Sequence, residues 1–435
     1  MKRLLYDKLI EWKNSQKRKP MLLEGARQVG KTYLLKQFGK NEFKTVVYLN
    51  LDKERDRLRV IFEKSLEPKD IIAKLEVMVG ERIIPEETLI IFDEVQEIPR
   101  ALTALKYFCE DAPEYFVAAS GSLLGIAMHQ GTSFPVGKVD FMTLEPMNFE
   151  EFVIAVGDER FLRVINDEND LRLFADKYEA LFRDYLIVGG MPEAVASWVD
   201  GHDYAEVDRV QNAILLAYMG DISKHTDATM ATRIHQIWNS LPAQFAKRNE
   251  KFMFNVVRPG ARAREYEVAI QWLVDCRIVR KVERVKIGDK LPLKAYVDSA
   301  AFKLYFLDVG LFRHLAGVST ELVLNEERLF KEFNGFFVEQ FVLQQMADGH
   351  EMYFWSSEAS AEVDFVTTVS DSVVPIEVKS GLNVKAKSLK TFRDNYKPRL
   401  SLRFSLLPLE YNSGLLNLPI YTAGLADGYI AKYLD

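Results

Sequence analysis

Residues 21–33 read Met21-Leu22-Leu23-Glu24-Gly25-Ala26-Arg27-Gln28-Val29-Gly30-Lys31-Thr32-Tyr33. A short apolar run leads into a loop bounded by two glycines, and a stretch with helical character, Tyr33–Phe38, follows. The spacing matches G-x-x-x-x-G-K-[ST] at every fixed position. Gly25 and Gly30 let the backbone curl so that its N–H groups converge on phosphate oxygens. The following helix adds the positive end of its dipole. On this reading Lys31 neutralises the β- and γ-phosphates of ATP and Thr32 ligates Mg2+. The candidate nucleotide contacts are Gly25, Ala26, Arg27, Gln28, Val29, Gly30, Lys31, Thr32 and Tyr33.

Around this loop, residues 1–150 alternate apolar runs with helical stretches, as in an α/β sheet domain. Pro20–Glu24, Thr45–Leu51, Thr88–Phe92 and Tyr115–Ala119 read as buried parallel strands. In Leu89-Ile-Ile-Phe92-Asp93-Glu94 the acidic pair emerges at a strand's carboxyl end, where ligands of open α/β sheets bind. Asp93 is expected to hold Mg2+, and Glu94 to polarise the attacking water. Ser120 ends another apolar run and is a candidate contact for the γ-phosphate or lytic water, with a simple turn the equal alternative. Lys138 is weighed as a phosphate sensor or a finger to a neighbouring subunit. An ordinary solvated lysine is the better reading of that residue alone.

The composition excludes other classes. The chain has 435 residues, 48% hydrophobic and 28% charged, which is ordinary for a folded chain and not for a disordered one. Its formal net charge of −6 excludes a globally basic nucleic-acid coat. Two cysteines, Cys109 and Cys276, support neither a disulfide framework nor a multi-cysteine zinc site. No run reaches the roughly 18–20 apolar residues of a membrane helix, Phe116–Met128 being the nearest. The amino-terminal residues show no signal-peptide core. These features predict a cytoplasmic protein with no membrane association.

Residues 151–330 read as mostly helical. Val268, Ala269, Trp272, Leu273 and Cys276 share one helical face. Arg277–Val285 and Leu291–Asp298 then read as a strand pair around Gly288-Asp289, which suggests a winged-helix unit. Lys247, Arg248, Lys251, Arg258, Arg262 and Arg264 form a basic cluster near the suspected recognition helix, able to meet a DNA backbone or to be a solvated helix end. The nearby Phe252, Phe254 and Tyr266 are expected to pack in the core.

Residues 331–435 return to α/β: a helix at 331–347, a hairpin at 361–379, a helix and a final strand. Glu339 lies on the helix, Asp364 on the first hairpin strand, and Glu377 and Lys379 on the second. A turn at Ser370-Asp371-Ser372 brings Asp364 beside Glu377. Two close carboxylates repel unless a cation lies between them, and an adjacent lysine can activate water or stabilise charge on phosphate. These are parts used in metal-assisted phosphodiester hydrolysis. An ordinary surface strand pair is the competing reading.

Together these residues resemble the bacterial and archaeal AAA-type ATPases that carry a C-terminal domain of unknown function, itself similar to restriction-endonuclease-like nucleases. The resemblance covers nearly the whole chain. Its marks are the loop GARQVGKT, IIFDEVQEIP, ASGSLL, LEPMNFEEF, Tyr185–Glu193, Phe302–Leu311, Phe337-Val-Glu339, Glu362-Val-Asp364-Phe and Pro375-Ile-Glu377-Val-Lys379. It implies an ATPase with a winged-helix-like middle and a nuclease-like end. Two positions depart from the pattern: Lys138 stands where the family usually has Arg, and Val363 where Pro often precedes the first acidic residue. Arg offers phosphate a planar fork and Lys a point charge, so a finger or sensor role at 138 is weakened.

The expectation is therefore an α/β protein with a P-loop ATPase domain at 1–150, a helical, winged-helix-like region at 151–330 and a nuclease-like domain at 331–435. Glu94 and Lys31 serve ATP hydrolysis. Glu377 and Lys379 are the candidate catalytic pair of the second site. Thr32 and Asp93, and separately Glu339, Asp364 and Glu377, are the candidate Mg2+ ligands. The partners considered are nucleic acid, with DNA favoured over RNA, a protein, and another copy of the chain in a nucleotide-dependent assembly. The rival readings are a nucleotide-controlled switch or scaffold that binds without cleaving, and an ATP-driven remodeller working as a ring.

Overall fold

The computed structural model describes residues 1–121, 137–165, 167–246, 251–324, 335–347, 349–357, 361–380 and 387–434. Ser122, Lys247, Arg248 and the start of the helix expected at 331 lie outside the described residues. The chain divides into two compact units. The first holds Met1–Glu145 with Asp275–Arg277, and the second holds Pro146–Val274 with Ile278–Asp435.

The first unit is built on a five-stranded parallel sheet. Its strands are β1 (Met21–Glu24), β2 (Thr45–Asn50), β3 (Thr88–Asp93), β4 (Phe116–Ser120) and β5 (Asp140–Thr143), in the order β2-β3-β4-β1-β5. Helices α1 (Leu5–Asn14), α2 (Lys31–Glu42), α3 (Arg55–Lys64), α4 (Pro68–Val79) and α5 (Pro99–Asp111) complete it. Strands β1, β3 and β4 are buried along their whole length, the pattern of sheet strands covered on both faces. Strand β5 is mostly half-exposed, which explains why no apolar run announces it. The order places β4 between β1 and β3. Ser120 therefore ends its strand between the glycine loop and Asp93.

The second unit begins with helices α6 (Phe149–Ala155), α7 (Glu168–Leu173), α8 (Ala175–Val188), α9 (Pro192–Gly201), α10 (Tyr204–His225), α11 (Ala228–Ala246), α12 (Phe254–Val257) and α13 (Ala263–Asp275). The strand pair expected to be a wing is part of a larger sheet. Strands β6 (Val279–Val285) and β7 (Val297–Phe306) join β8 (Tyr353–Ser356), β9 (Glu362–Val369), β10 (Ser372–Val378), β11 (Ser401–Ser405), β12 (Glu410–Asn412) and β13 (Leu415–Pro419). The order is β12-β13-β11-β10-β9-β8-β6-β7. Helices α14 (Val309–Leu315), α15 (Thr320–Leu324), α16 (Phe336–Met346), α17 (Lys387–Tyr396) and α18 (Ala426–Leu434) complete the unit.

This arrangement differs from the expected partition. The second strand of the pair starts at Val297, because Leu293–Tyr296 forms a 3-10 turn. Strand β6 pairs with β8 as well as β7, so the pair is the end of one larger sheet that crosses residue 330. On α13 the buried face is Tyr266, Ala269, Ile270, Trp272 and Leu273, while Val268 is exposed. The carboxyl end holds three strands after α17, where one was expected. Among the described residues no helix is long and apolar enough to cross a membrane.

Two polar devices fix the second unit. The Gln340 amide on α16 accepts from the backbone N–H of Phe306 at 2.9 Å and donates to its carbonyl at 2.7 Å. A buried side-chain amide thus imitates the missing neighbour of edge strand β7. The buried Asp308 carboxylate accepts from the backbone N–H groups of Gly190 and Leu311 and from Gln344. A Cβ on Gly190 would lie 1.9 Å from the Met147 carbonyl oxygen, so only glycine fits there.

Candidate nucleotide site and a second charged cluster

The loop after β1 carries three residues with positive φ: Gly25 at 151°, Gln28 at 63° and Gly30 at 94°. A Cβ on Gly25 would come within 2.2 Å of the Leu144 carbonyl oxygen. The loop is anchored from beneath by Arg3, whose buried guanidinium donates to the carbonyls of Val29 at 2.8 Å and Glu145 at 2.6 Å. No motif in the sequence points to that arginine. The Lys31 ammonium lies within the curl, donating to the Gly25 and Ala26 carbonyls at 2.9 and 2.7 Å. Burial lowers its pKa to about 8, against the opposing influence of Glu94 and Asp93. Tyr33, one turn into α2, stands exposed.

Asp93 is the hub. It is 3% exposed, and hydroxyls from three elements converge on its carboxylate. Ser120 Oγ donates to Oδ1 at 2.5 Å, while Thr32 Oγ1 and Tyr48 Oη donate to Oδ2 at 2.9 and 2.7 Å. No motif in the sequence marks Tyr48. It reaches Asp93 because β2 pairs with β3, and Asn50 supports its hydroxyl at 3.2 Å. Burial, reinforced by Asp93, pushes the phenol up to about 12, so it stays a donor. Glu94 adopts a left-handed backbone (φ 55°), and the Gln96 amide holds its carboxylate at 2.6 Å.

The donor set fits Mg·ATP. Three left-handed positions shape the phosphate cradle, and the Thr32 hydroxyl and Asp93 carboxylate sit together at its rim as a hard-oxygen pair suited to Mg2+. Mg2+, when bound, neutralises phosphate charge.

Lys138 lies elsewhere. It precedes β5, whose Asp140 pairs with Met21 at the start of β1, whereas the loop follows Glu24 at the other end. Lys138 is thus at the amino edge of the sheet, paired with Glu110 at 2.9 Å. It is not a sensor for the nucleotide loop of its own chain.

In the second unit the β9–β10 hairpin runs in register through Ile376↔Phe365, the pair adjoining Glu377 and Asp364. The backbone N–H of Val378 donates to Asp364 Oδ2 at 2.7 Å, and Lys379 Nζ bonds Glu377 Oε1 at 2.5 Å. Glu377 is 3% exposed, and its Oε2 is buried without a hydrogen-bond partner. Burial raises the pKa of both carboxyls, and for Asp364 the facing Glu377 and Glu339 add to it.

The cluster holds residues the sequence did not single out. Side chains of β7 and β9 touch, although β8 and β6 separate the two strands in the sheet order. Lys303 then bonds Glu362, and the Tyr305 ring lies 5.7 Å from that of Phe365. The Tyr305 hydroxyl donates to Glu339 at 3.0 Å. Burial works against the Lys303 charge, but Glu339, Glu362 and Asp364 override it and hold the ammonium above its ordinary pKa. Among the described residues no group of three His, Cys, Asp or Glu is arranged to hold a metal ion; Asp364 and Glu377, two of the expected ligands, lie together, with Glu339 acting on Asp364 from α16.

In the basic segment Arg258 pairs with Glu265 at 3.0 Å, and Lys251, Arg262 and Arg264 are exposed. Phe252 stacks on Phe302 at 5.4 Å and packs with Phe254, and Tyr266 is buried.

The chain matches the family model described as AAA domain over residues 17–153. It matches two further models, each described as a domain of unknown function: DUF8612 over 179–322 and DUF4143 over 334–421. No curated protein matches. Among solved structures, the Walker-type ATPase of Pyrococcus abyssi is 13% identical, covers 71% of this chain and 94% of its own, and has a TM-score of 0.45. The Aeropyrum pernix ORC1 protein in complex with DNA is 11% identical, with coverages of 72% and 90% and a TM-score of 0.32. The ADP form of the Aeropyrum pernix ORC2 protein is 14% identical, with coverages of 74% and 90% and a TM-score of 0.28. The first unit therefore contains an AAA-type P-loop ATPase domain.

Proposed function

We propose that the protein binds Mg·ATP in the first unit, hydrolyses it, and uses nucleotide state to control a second unit that acts on nucleic acid, DNA before RNA. The observation that carries the first half is the convergence of Thr32, Ser120 and Tyr48 on Asp93 beside the curled Lys31. Lys31 would move from the loop carbonyls to the phosphates. Backbone N–H groups of the loop would hold the β-phosphate, and Thr32 and Asp93 would hold Mg2+. Glu94, steadied by Gln96, would orient water in line with the γ-phosphate. Equilibrium binding of a fluorescent ATP analogue tests this: Lys31→Ala should abolish it, and retained tight binding would refute the reading.

For the second unit, the juxtaposed Asp364, Glu377 and Lys379 support a nuclease-like role, with Glu339 at its edge. In the second reading Lys379, ion-paired with Glu377, neutralises the carboxylate in place of a metal, and this unit binds nucleic acid or protein without cleaving it. Incubating labelled DNA and RNA with wild-type protein and with Glu377→Ala, plus Mg2+ or Mn2+, separates the two. Cleavage lost in the variant supports the nuclease, and no cleavage with binding intact supports the switch or scaffold.

A further inference from the structure

Between α17 and strands β11 and β13 the second unit opens a cleft of about 530 Å³. Its polar lining is cationic: Lys390, Arg393, Lys397 and Arg403 against one carboxylate, Asp394, with three apolar residues completing the wall. This concentration of positive charge lies on a chain whose net charge is −6.

Local bonds hold part of this lining in place. Arg393 donates to the Ser413 carbonyl, and Arg403 Nε donates to Asn417 Oδ1 at 2.8 Å. Asn417 is itself fixed by the carbonyls of Leu407 and Pro408. Lys390 touches Asp394 at 3.2 Å in an exposed pair, which leaves its charge accessible. Lys397 is exposed.

Sheet register relates the cleft to the carboxylate cluster. Strands β10 and β11 are parallel neighbours, and Arg403 is the register partner of Glu377. Partners in register project from the same face of a sheet. The cationic cleft therefore opens on the face that carries Glu377, one strand away from it. An anionic chain lying along α17 would pass beside the carboxylates. Four cations against one carboxylate suit a ligand that carries several phosphates.

We propose that this cleft is the docking track for a nucleic-acid phosphodiester backbone, with Arg403 as the contact nearest the Glu377 site. The proposal rests on the nucleic-acid reading of the second unit and names the surface it uses.

The test is fluorescence anisotropy of fluorescein-labelled single-stranded DNA, duplex DNA and RNA with the full chain, over a salt series. Three variants are compared: Lys390→Gln with Lys397→Gln; Arg403→Gln, which keeps an amide facing Asn417; and Lys64→Gln with Lys69→Gln on α3 and α4 as a charge-matched control. Circular dichroism melting checks that each is folded.

The cleft double variant should weaken binding about tenfold and flatten the log–log salt slope by about 2, since each lost phosphate contact removes nearly one released counterion. Arg403→Gln should weaken binding by a similar factor with a slope change of about 1. The control should match wild type. Equal binding by wild type and both cleft variants would overturn the cleft while leaving the nucleic-acid reading standing. Absence of any binding by folded wild-type protein would overturn that reading and the cleft with it. Capture by anionic lipid vesicles, with no nucleic-acid binding, would likewise overturn both.

Discussion

Ser120 and Asp93 end neighbouring strands of the first unit and are joined by a 2.5 Å hydrogen bond from hydroxyl to carboxylate. The bond fixes one carboxylate oxygen and leaves the other to Thr32 and Tyr48. The acidic residue that would hold Mg2+ is thus oriented from both sides by protein hydroxyls. Ser120→Ala and Tyr48→Phe should each lower kcat for ATP hydrolysis about tenfold, the scale of one hydrogen bond to a charged acceptor, with a smaller change in ATP affinity. Steady-state turnover checks this, and unchanged kcat in both variants would contradict it.

The buried Lys31 gives a pH signature. Burial lowers its pKa to about 8, and bound phosphate favours the charged form. ATP binding above about pH 8 should therefore take up close to one proton, and affinity should fall as pH rises further. Without nucleotide, the unfolded chain is the better proton binder between about 8 and 10.5, so this group's contribution to stability rises with pH across that window. Calorimetric titration in two buffers of different ionisation enthalpy measures the uptake. Its absence above pH 8 would contradict the assignment.

Arg3 lies at the start of the chain yet holds the loop from below. Arg3→Ala would leave the Val29 and Glu145 carbonyls without their donor, at a cost of about 2 kcal/mol to the first unit. Thermal melting with and without ATP should show a lower first transition and weaker protection by nucleotide. A wild-type melting profile would contradict this.

In the second unit burial disfavours the charged forms of Asp364 and Glu377, and for Asp364 the facing Glu377 adds to it. Both carboxyls have pKa values raised above their ordinary range, so the folded state binds more protons than the unfolded state there. Their contribution is favourable at low pH and is lost as pH rises through the raised values. Asp364→Asn should therefore raise the melting temperature of this unit at neutral pH and flatten its pH dependence. A lower melting temperature in the variant would contradict this electrostatic account.

The legible parts of the protein were those encoded by local spacing. The glycine loop, Asp93 at a strand end and Ser120 at another all depend on short runs whose periodicity fixes the strand. Asp364 and Glu377 were legible together because a two-residue turn, with Ser370 and Asp371 both at positive φ, sets the hairpin register. Contacts made across the sheet were not legible. Lys303 and Tyr305 reach Glu362 and Phe365 across a sheet in which β6 and β8 lie between their strands, and the strand pair expected as a wing joins that sheet through the long-range pairing of β6 with β8. Strand β5 was missed because its residues are half-exposed, and with it the information that Lys138 sits at the far edge of the sheet. Arg3 and Tyr48 act through long-range contacts that no motif records.

The central claim is ATP hydrolysis with Glu94 orienting the water. The most direct measurement is phosphate release under single-turnover conditions, alongside ATP binding, for wild type and Glu94→Gln. The account predicts near-wild-type binding by the variant with hydrolysis slowed by about 10² or more. Equal rates of phosphate release from the two proteins would contradict it.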